Sequence, residues 1–246
     1  MRRHLTRLFA DFFGLFFPPQ CLACEGELEI SEKYICLNCQ ATLPQTGFHN
    51  QPQNAFVARF EGRLPIQSAQ SLFYFTKASR TQHLVHKIKY DNKKAAALEL
   101  GRYYGELLRK SEVVRTADAL VPVPMHPKKE QARGYNQAEL FSIGLSESLD
   151  MPVENKILLK KIQTKITKQK KSRLERLSNT EMIFEVNEKL PPSVFSNKHL
   201  IVVDDVMTTG ATLEACARAL IAAESSVKIS FISLAYVKFK QRVLVI

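Results

Sequence analysis

The 246-residue chain has no run of about 18 or more apolar residues, which excludes a membrane-spanning helix. Cysteine is scarce outside one stretch: four of the five lie between Cys21 and Cys39. The fifth, Cys216, falls in a helical pattern where a small buried hydrophobe is expected. Paired Cys-x-x-Cys units predict a reducing, cytoplasmic setting. Near the start, Asp11 interrupts the apolar stretch and no small-x-small cleavage site follows, so the basic, apolar opening is not a signal peptide. Leu5, Phe9, Phe12 and Phe16 recur at helical spacing and predict an amphipathic helix packed on the body or on a partner, with membrane-surface contact as the alternative.

Acidic residues are also short, 24 against 35 basic, and the formal charge of +11 is uneven. Residues 51–150 carry 15 basic and 10 acidic side chains, and residues 151–198 carry 11 and 5. Such a field favours polyanions, and charge alone does not separate nucleic acid from a pyrophosphate ligand. A clear series of interleaved basic and aromatic residues suited to base stacking is lacking.

What is present centres on His199 to Ala222. Leu200 to Val203 is a continuous, β-branched apolar run, the pattern of a parallel strand buried on both faces. Asp204 and Asp205 close it, Thr208, Thr209, Gly210, Ala211 and Thr212 form a small hydroxyl-rich loop, and a helical pattern starts at Thr212. A loop at the carboxyl end of a strand in an α/β sheet can converge its N–H groups on an anion, helped by the helix dipole. Gly210 admits close backbone approach, and the threonine hydroxyls can donate to phosphate oxygens. The two acids are acceptors only, suited to sugar hydroxyls or to Mg²⁺ through water. A ligand with both a phosphate and a diol satisfies the whole stretch; the bland alternative is a capped helix entry.

At the front, Cys21-Leu-Ala-Cys24 and Cys36-Leu-Asn-Cys39 can each make a tight turn that grips one metal. Together they offer a closed tetrahedral four-sulfur Zn²⁺ site, structural because no position stays open. Thr46 to Pro52 is polar with Gly and Pro and predicts a linker, dividing a module at 1–50 from a main domain at 51–246. Within that domain, Ser68 to Phe75 and Val227 to Val237 predict strands, and about Arg80 to Tyr90 and Lys94 to Lys110 predict helices. His83 and His86 are assigned to packing or surface, while Lys87, Lys89 and Tyr90 gather at a helix end. Ala119 to Pro124 predicts another strand, whose loop through Arg133, Gly134, Asn136 and Gln137 enters a helix on the same rim as Asp204. Lys156 to Leu177 holds nine basic residues against Glu175.

Leu200 to Thr212 resembles the 5-phosphoribosyl-1-pyrophosphate (PRPP) signature of type I phosphoribosyltransferases: four apolar residues, two acids, two apolar, then Thr-Thr-Gly-x-Thr. More widely, Val121-Pro-Val-Pro124, His126-Pro127, Arg133-Gly-Tyr-Asn-Gln137 and the front cysteine pairs resemble the ComF/GntX family, named for a competence protein in DNA uptake. The resemblance implies a mostly parallel α/β sheet flanked by helices, behind a small zinc-ribbon-like module. It gives PRPP binding to Asp204, Asp205, Val206, Met207, Thr208, Thr209, Gly210, Ala211 and Thr212, with the acids orienting ribose during catalysis. It gives pyrophosphate binding to Arg133, Gly134, Asn136, Gln137 and Lys161, the last in a basic stretch that corresponds to a hood over PRPP. Thr167-Lys-Gln169, the absence of Gly before Phe184, and the absence of Gly near Glu224 depart from the family pattern. The implied activity is Mg²⁺-dependent phosphoribosyl transfer to an unidentified acceptor, in nucleoside metabolism. The alternative is a non-catalytic competence protein that binds PRPP or single-stranded DNA beside a helicase.

Overall fold

The computed structural model describes residues 18–91, 93–160 and 184–238. Its centre is a four-stranded, wholly parallel sheet formed by β1 (Ile66–Phe75), β2 (Ala119–Pro122), β5 (His199–Met207) and β6 (Lys228–Val237). The spatial order is β1-β6-β5-β2. Parallel neighbours need crossover connections, and these supply the helices that cover both faces. Helices α1 (Leu37–Thr42), α2 (Arg80–Tyr90), α3 (Lys94–Leu108), α4 (Glu112–Arg115), α5 (Pro127–Arg133), α6 (Gln137–Leu149) and α7 (Ala211–Ala223) follow in chain order. The expected mostly parallel sheet flanked by helices is the observed architecture.

Successive side chains of a strand point to opposite faces, and β5 and β6 divide their apolar residues accordingly. Ile201, Val203, Ile232 and Leu234 enter a core with α2, α3 and α6, whereas Leu200, Val202, Ile229 and Phe231 enter one with α7. Because both faces are covered, every residue of the run Leu200 to Val203 is buried. The α3–α6 contact depends on two glycines. A Cβ on Gly101 would lie 2.3 Å from the Phe141 carbonyl oxygen, and one on Gly144 would lie 2.1 Å from that of Leu98. Close helix approach there fixes α6, and with it the loop that precedes α6.

Several boundaries shift by one or two residues from expectation, and three differences bear on the site and its surroundings. Strand β5 does not stop at Val203 but continues through both acids to Met207, because β6 offers Ser233, Ala235 and Tyr236 as partners for Asp204, Val206 and Met207. Helix α7 starts one residue earlier than expected, at Ala211. Thr46 to Pro52 lies along β1: the Thr46 N–H donates to the Leu72 carbonyl and its hydroxyl to that of Ser71. Phe48 is 2% exposed and packs edge-on against Tyr74 and Tyr236. A polar segment with one large aromatic gains more by burying that ring than by staying solvated.

A separate antiparallel pair, β3 (Leu158–Lys160) and β4 (Phe184–Val186), brings residue 160 opposite residue 184. The stretch between them, including Lys161 and most of the basic segment, lies outside the described residues, as does the amphipathic pattern of residues 1–17. Among the described residues, no helix is long and apolar enough to cross a membrane.

Candidate functional site

The carboxyl ends of β5 and β2 form the rim on which most of the sequence candidates meet. Asp204 and Asp205 are half-buried side by side, and the Asp205 N–H donates to Asp204 Oδ1 at 2.8 Å. The turn that follows is open: Thr208, Thr209 and Ala211 are exposed, and Thr212 is half-buried. Met207 is 1% exposed, with its side chain in the core and its backbone paired with Tyr236 of β6. Gly210 sits at φ +86° as the residue before α7, and a Cβ there would lie 2.9 Å from Phe60 Cζ. Both the left-handed backbone and the aromatic wall therefore demand glycine. Behind the turn, Glu214 in the first turn of α7 pairs with Arg63 and, at 2.8 Å, with Arg218.

The electrostatics follow from packing. Burial first, and the Asp205 carboxylate second, push Asp204 up to about 7, while Lys89 and Lys160 oppose that rise. Lys89, the penultimate residue of α2, places Nζ 2.8 Å from Asp205 Oδ2. Sequence reasoning set Lys89 apart only as part of a cationic helix end; nothing in the spacing points to Asp205, more than a hundred positions away. At the end of β3, burial holds Lys160 below the usual lysine range, nearby Lys129 adds to that effect, and Asp204 works against it.

On the neighbouring strand, the Val123 N–H donates to the Val203 carbonyl at 2.8 Å, which sets the loop after β2 beside the acids. Arg133 closes α5; it donates to Gln137 Oε1 and to the Tyr90 hydroxyl, each at 3.2 Å, and its guanidinium stands 5.0 Å over the Tyr90 ring. Gly134, at φ +78°, ends that helix in the left-handed conformation. Asn136 caps α6 by accepting from the Ala138 N–H at 3.1 Å, while its amide donates to the Val123 carbonyl at 3.0 Å. Gln137 is 2% exposed and its Nε2 has no hydrogen-bond partner among the described residues. The structure thus puts Arg133 and Gly134 at the surface of this loop and commits the Asn136 side chain to holding it. Lys161 lies outside the described residues.

The four cysteines come together on the other side of α2. Their sulfurs all lie within 4.8 Å of one another, a cluster that could hold a metal ion. The N–H groups of Ala23 and Cys36 both point at Cys21 Sγ from 3.4 Å, and that of Cys39 at Cys36 Sγ from 3.4 Å. Burial raises the Cys21 thiol, but the N–H groups of Cys36, Ala23 and Cys24 outweigh it and bring the thiol down to about 7. Burial and the neighbouring sulfurs raise Cys39 instead. A soft, closed, thiolate-rich set of this kind fits Zn²⁺. The module is not a loose appendage: Cys21, Ile35, Cys39 and Leu43 share a core with Leu84 and Ala96. Glu25 reaches α2 at His83 (3.2 Å) and Lys87 (3.1 Å).

Residues 145–242 match the family described as phosphoribosyl transferase domain. The match takes in β5, the turn after it, α7 and β6 of a parallel sheet flanked by helices, with the four-cysteine module at its front. Among curated proteins, the chain is 27% identical over 214 residues to competence protein F of Haemophilus influenzae, covering 83% of this chain and 92% of that protein. It is 36% identical over 115 residues to competence protein ComFC of Bacillus subtilis, covering 47% of this chain and 43% of that one. Among solved structures, adenine phosphoribosyltransferase from Leishmania tarentolae aligns at a TM-score of 0.38 and 12% identity, over 61% of this chain and 74% of the other. The chain is thus similar to one competence protein over most of its length and to another over about half of it.

Proposed function

We propose that this protein binds Mg²⁺-PRPP and transfers its phosphoribosyl group to an acceptor. The observation that carries this reading is the joint placement of the acid pair and an open threonine-rich turn at one rim, faced by Lys89 and Lys160, with Arg133 held on Tyr90, the residue after Lys89. Asp204 and Asp205 accept from the ribose hydroxyls. Thr208 to Thr212, with the backbone of Val206 and Met207 leading into them and the start of α7 behind, hold the 5-phosphate. Arg133 and Gly134 take the pyrophosphate end, where guanidinium geometry matches phosphate oxygens; Asn136 and Gln137 shape that loop, and Lys161 extends the same cationic field. The bond from C1 to pyrophosphate breaks, pyrophosphate leaves with the electron pair, and the acceptor's lone pair forms the new bond while its proton passes to solvent. Positioning and preorganised charge supply the acceleration, so no protein nucleophile is required. Hard oxygen donors on the acid pair suit Mg²⁺, which offsets the charge of the pyrophosphate when bound.

In this proposal the division falls near residue 50, with Cys21, Cys24, Cys36 and Cys39 holding a structural Zn²⁺ in front of the transferase-like domain. Reduced thiolates of this kind belong in the cytoplasm.

A second reading, a non-catalytic DNA-uptake protein acting on single strands beside a helicase, draws support from the names of the relatives. It also gains from Tyr90, 58% exposed, whose ring meets His86 at a tilt with centroids 4.6 Å apart and carries the Arg133 guanidinium at 5.0 Å. Calorimetry with Mg²⁺-PRPP separates the two. The transferase reading expects Asp205→Asn to lose binding by about a hundredfold or more, as expected when hydrogen bonds to a charged group vanish, and the wild type to release pyrophosphate with some nucleobase or amine. Steeply salt-dependent single-strand binding that survives Asp205→Asn, with no PRPP uptake, would put the second reading in its place.

A further inference from the structure

The last turn of α2 touches the candidate site from outside the sequence signature, at two points. Lys89 Nζ stands 2.8 Å from Asp205 Oδ2, with the two side chains 22% and 19% exposed. The next residue, Tyr90, carries Arg133 on its hydroxyl and ring face. Tyr135 donates its hydroxyl to the Ile88 carbonyl, which ties the helix end to the loop after α5. This turn of α2 therefore sits at the joint between the acid pair and the Arg133 loop.

A carboxylate offers about four acceptor directions, so a pair made through Oδ2 is compatible with a sugar hydroxyl donating to Oδ1. An ammonium has three N–H donors, and the pair with Asp205 uses one. Among the described residues the other two meet no second acceptor and can turn to an anion beside Asp205. Expelling Lys89 would instead leave two adjacent, half-buried carboxylates facing an anionic ligand, an arrangement that like-charge repulsion and desolvation both oppose.

We propose that Lys89 is a ligand-binding residue of this site: held by Asp205 through one N–H, its ammonium binds the anionic group on the C1 side of the sugar. It thereby makes the site prefer ribose 5-phosphate carrying a 1-pyrophosphate over ribose 5-phosphate alone. The inference rests on the sugar-phosphate reading given above and adds a residue the signature does not contain.

The test is equilibrium binding of PRPP and of ribose 5-phosphate, each with Mg²⁺, to the full chain. Wild type is compared with Lys89→Met, with Lys89→Gln as a second neutral variant, and with Lys89→Arg. The expected result is a loss of PRPP affinity of about tenfold to a hundredfold in the neutral variants, with ribose 5-phosphate changed by less than about threefold and PRPP partly restored in Lys89→Arg. Equal weakening of both ligands would mean that Lys89 only supports Asp205. Tighter binding of both would mean that it is a counter-ion the ligand displaces. Either result overturns the inference while leaving the sugar-phosphate reading intact. A wild type that binds neither ligand overturns that reading, and this inference with it.

Discussion

The sulfur cluster at the front and the oxygen-rich rim of the sheet are assembled in opposite ways. All four thiols come from one short stretch, Cys21 to Cys39, in two tight turns whose N–H groups already point at sulfur. The rim draws Lys89 from α2, Arg133 from α5, Lys160 from β3 and the acids from β5, and no two of these four elements are consecutive in the chain. The first arrangement rests on local backbone geometry, and a metal held there would contribute to folding. The second exists only after the sheet has closed, so its charges are held against their preferences by packing. Asp204, raised to about 7, is the sign of that constraint.

The comparison breaks most visibly at Cys39, which is fully buried between the module and the main core. Cys39→Ser is expected to lose the bound metal and lower the thermal midpoint by about 10 °C or more, because structural zinc contributes directly to folding. Metal analysis together with calorimetry checks this. A variant that lost its metal yet melted like wild type would show that the module does not support the fold.

A smaller effect is expected at Gly210, where the rim itself is constrained. Gly210→Ala meets both the positive φ and the Phe60 ring, and should cost about 1–3 kcal/mol in denaturant unfolding. Because the same distortion displaces the turn, Mg²⁺-PRPP affinity should fall with it. Lost stability with intact affinity would separate the turn from the ligand.

The smallest effect concerns Asp204 and has a sign opposite to that of most substitutions at a ligand-facing acid. Its folded value of about 7 lies above the ordinary 3.8, so between those values the folded state binds more protons than the unfolded one. Stability from the protonated acid is full below about 3.8 and is lost as pH rises through about 7. Asp204→Asn should therefore melt a few degrees above wild type at pH 8, and the gap should close toward pH 4, even as ligand binding is lost. Equal midpoints at pH 8 would show that burial does not strain this carboxylate.

Much of this was legible in the chain itself, for identifiable reasons. The bounds of α2 matched the apolar spacing from Arg80 to Tyr90, with Ser79 capping its start. Leu200 to Val203 announced a strand buried on both faces, and the cysteine spacing announced a cluster that the structure gathers within 4.8 Å. The errors share a cause. Strand β5 runs on through two acids because β6 lies alongside to pair with it, and Thr46 to Pro52 is seated because Phe48 finds Tyr74 and Tyr236. Each depends on a partner far away in sequence.

By itself, then, the order of residues determined the strand, the glycine turn, the helix after it and the paired thiols, because backbone preference and side-chain chemistry act over a few positions. Only the tertiary structure decided that Lys89 faces Asp205, that Tyr90 carries Arg133, and that Asn136 serves the loop rather than extending from it. Those pairings are fixed by how helices pack on a twisted parallel sheet, and Coulomb interactions between charges so far apart in the chain appear only once packing has brought them within a few ångströms.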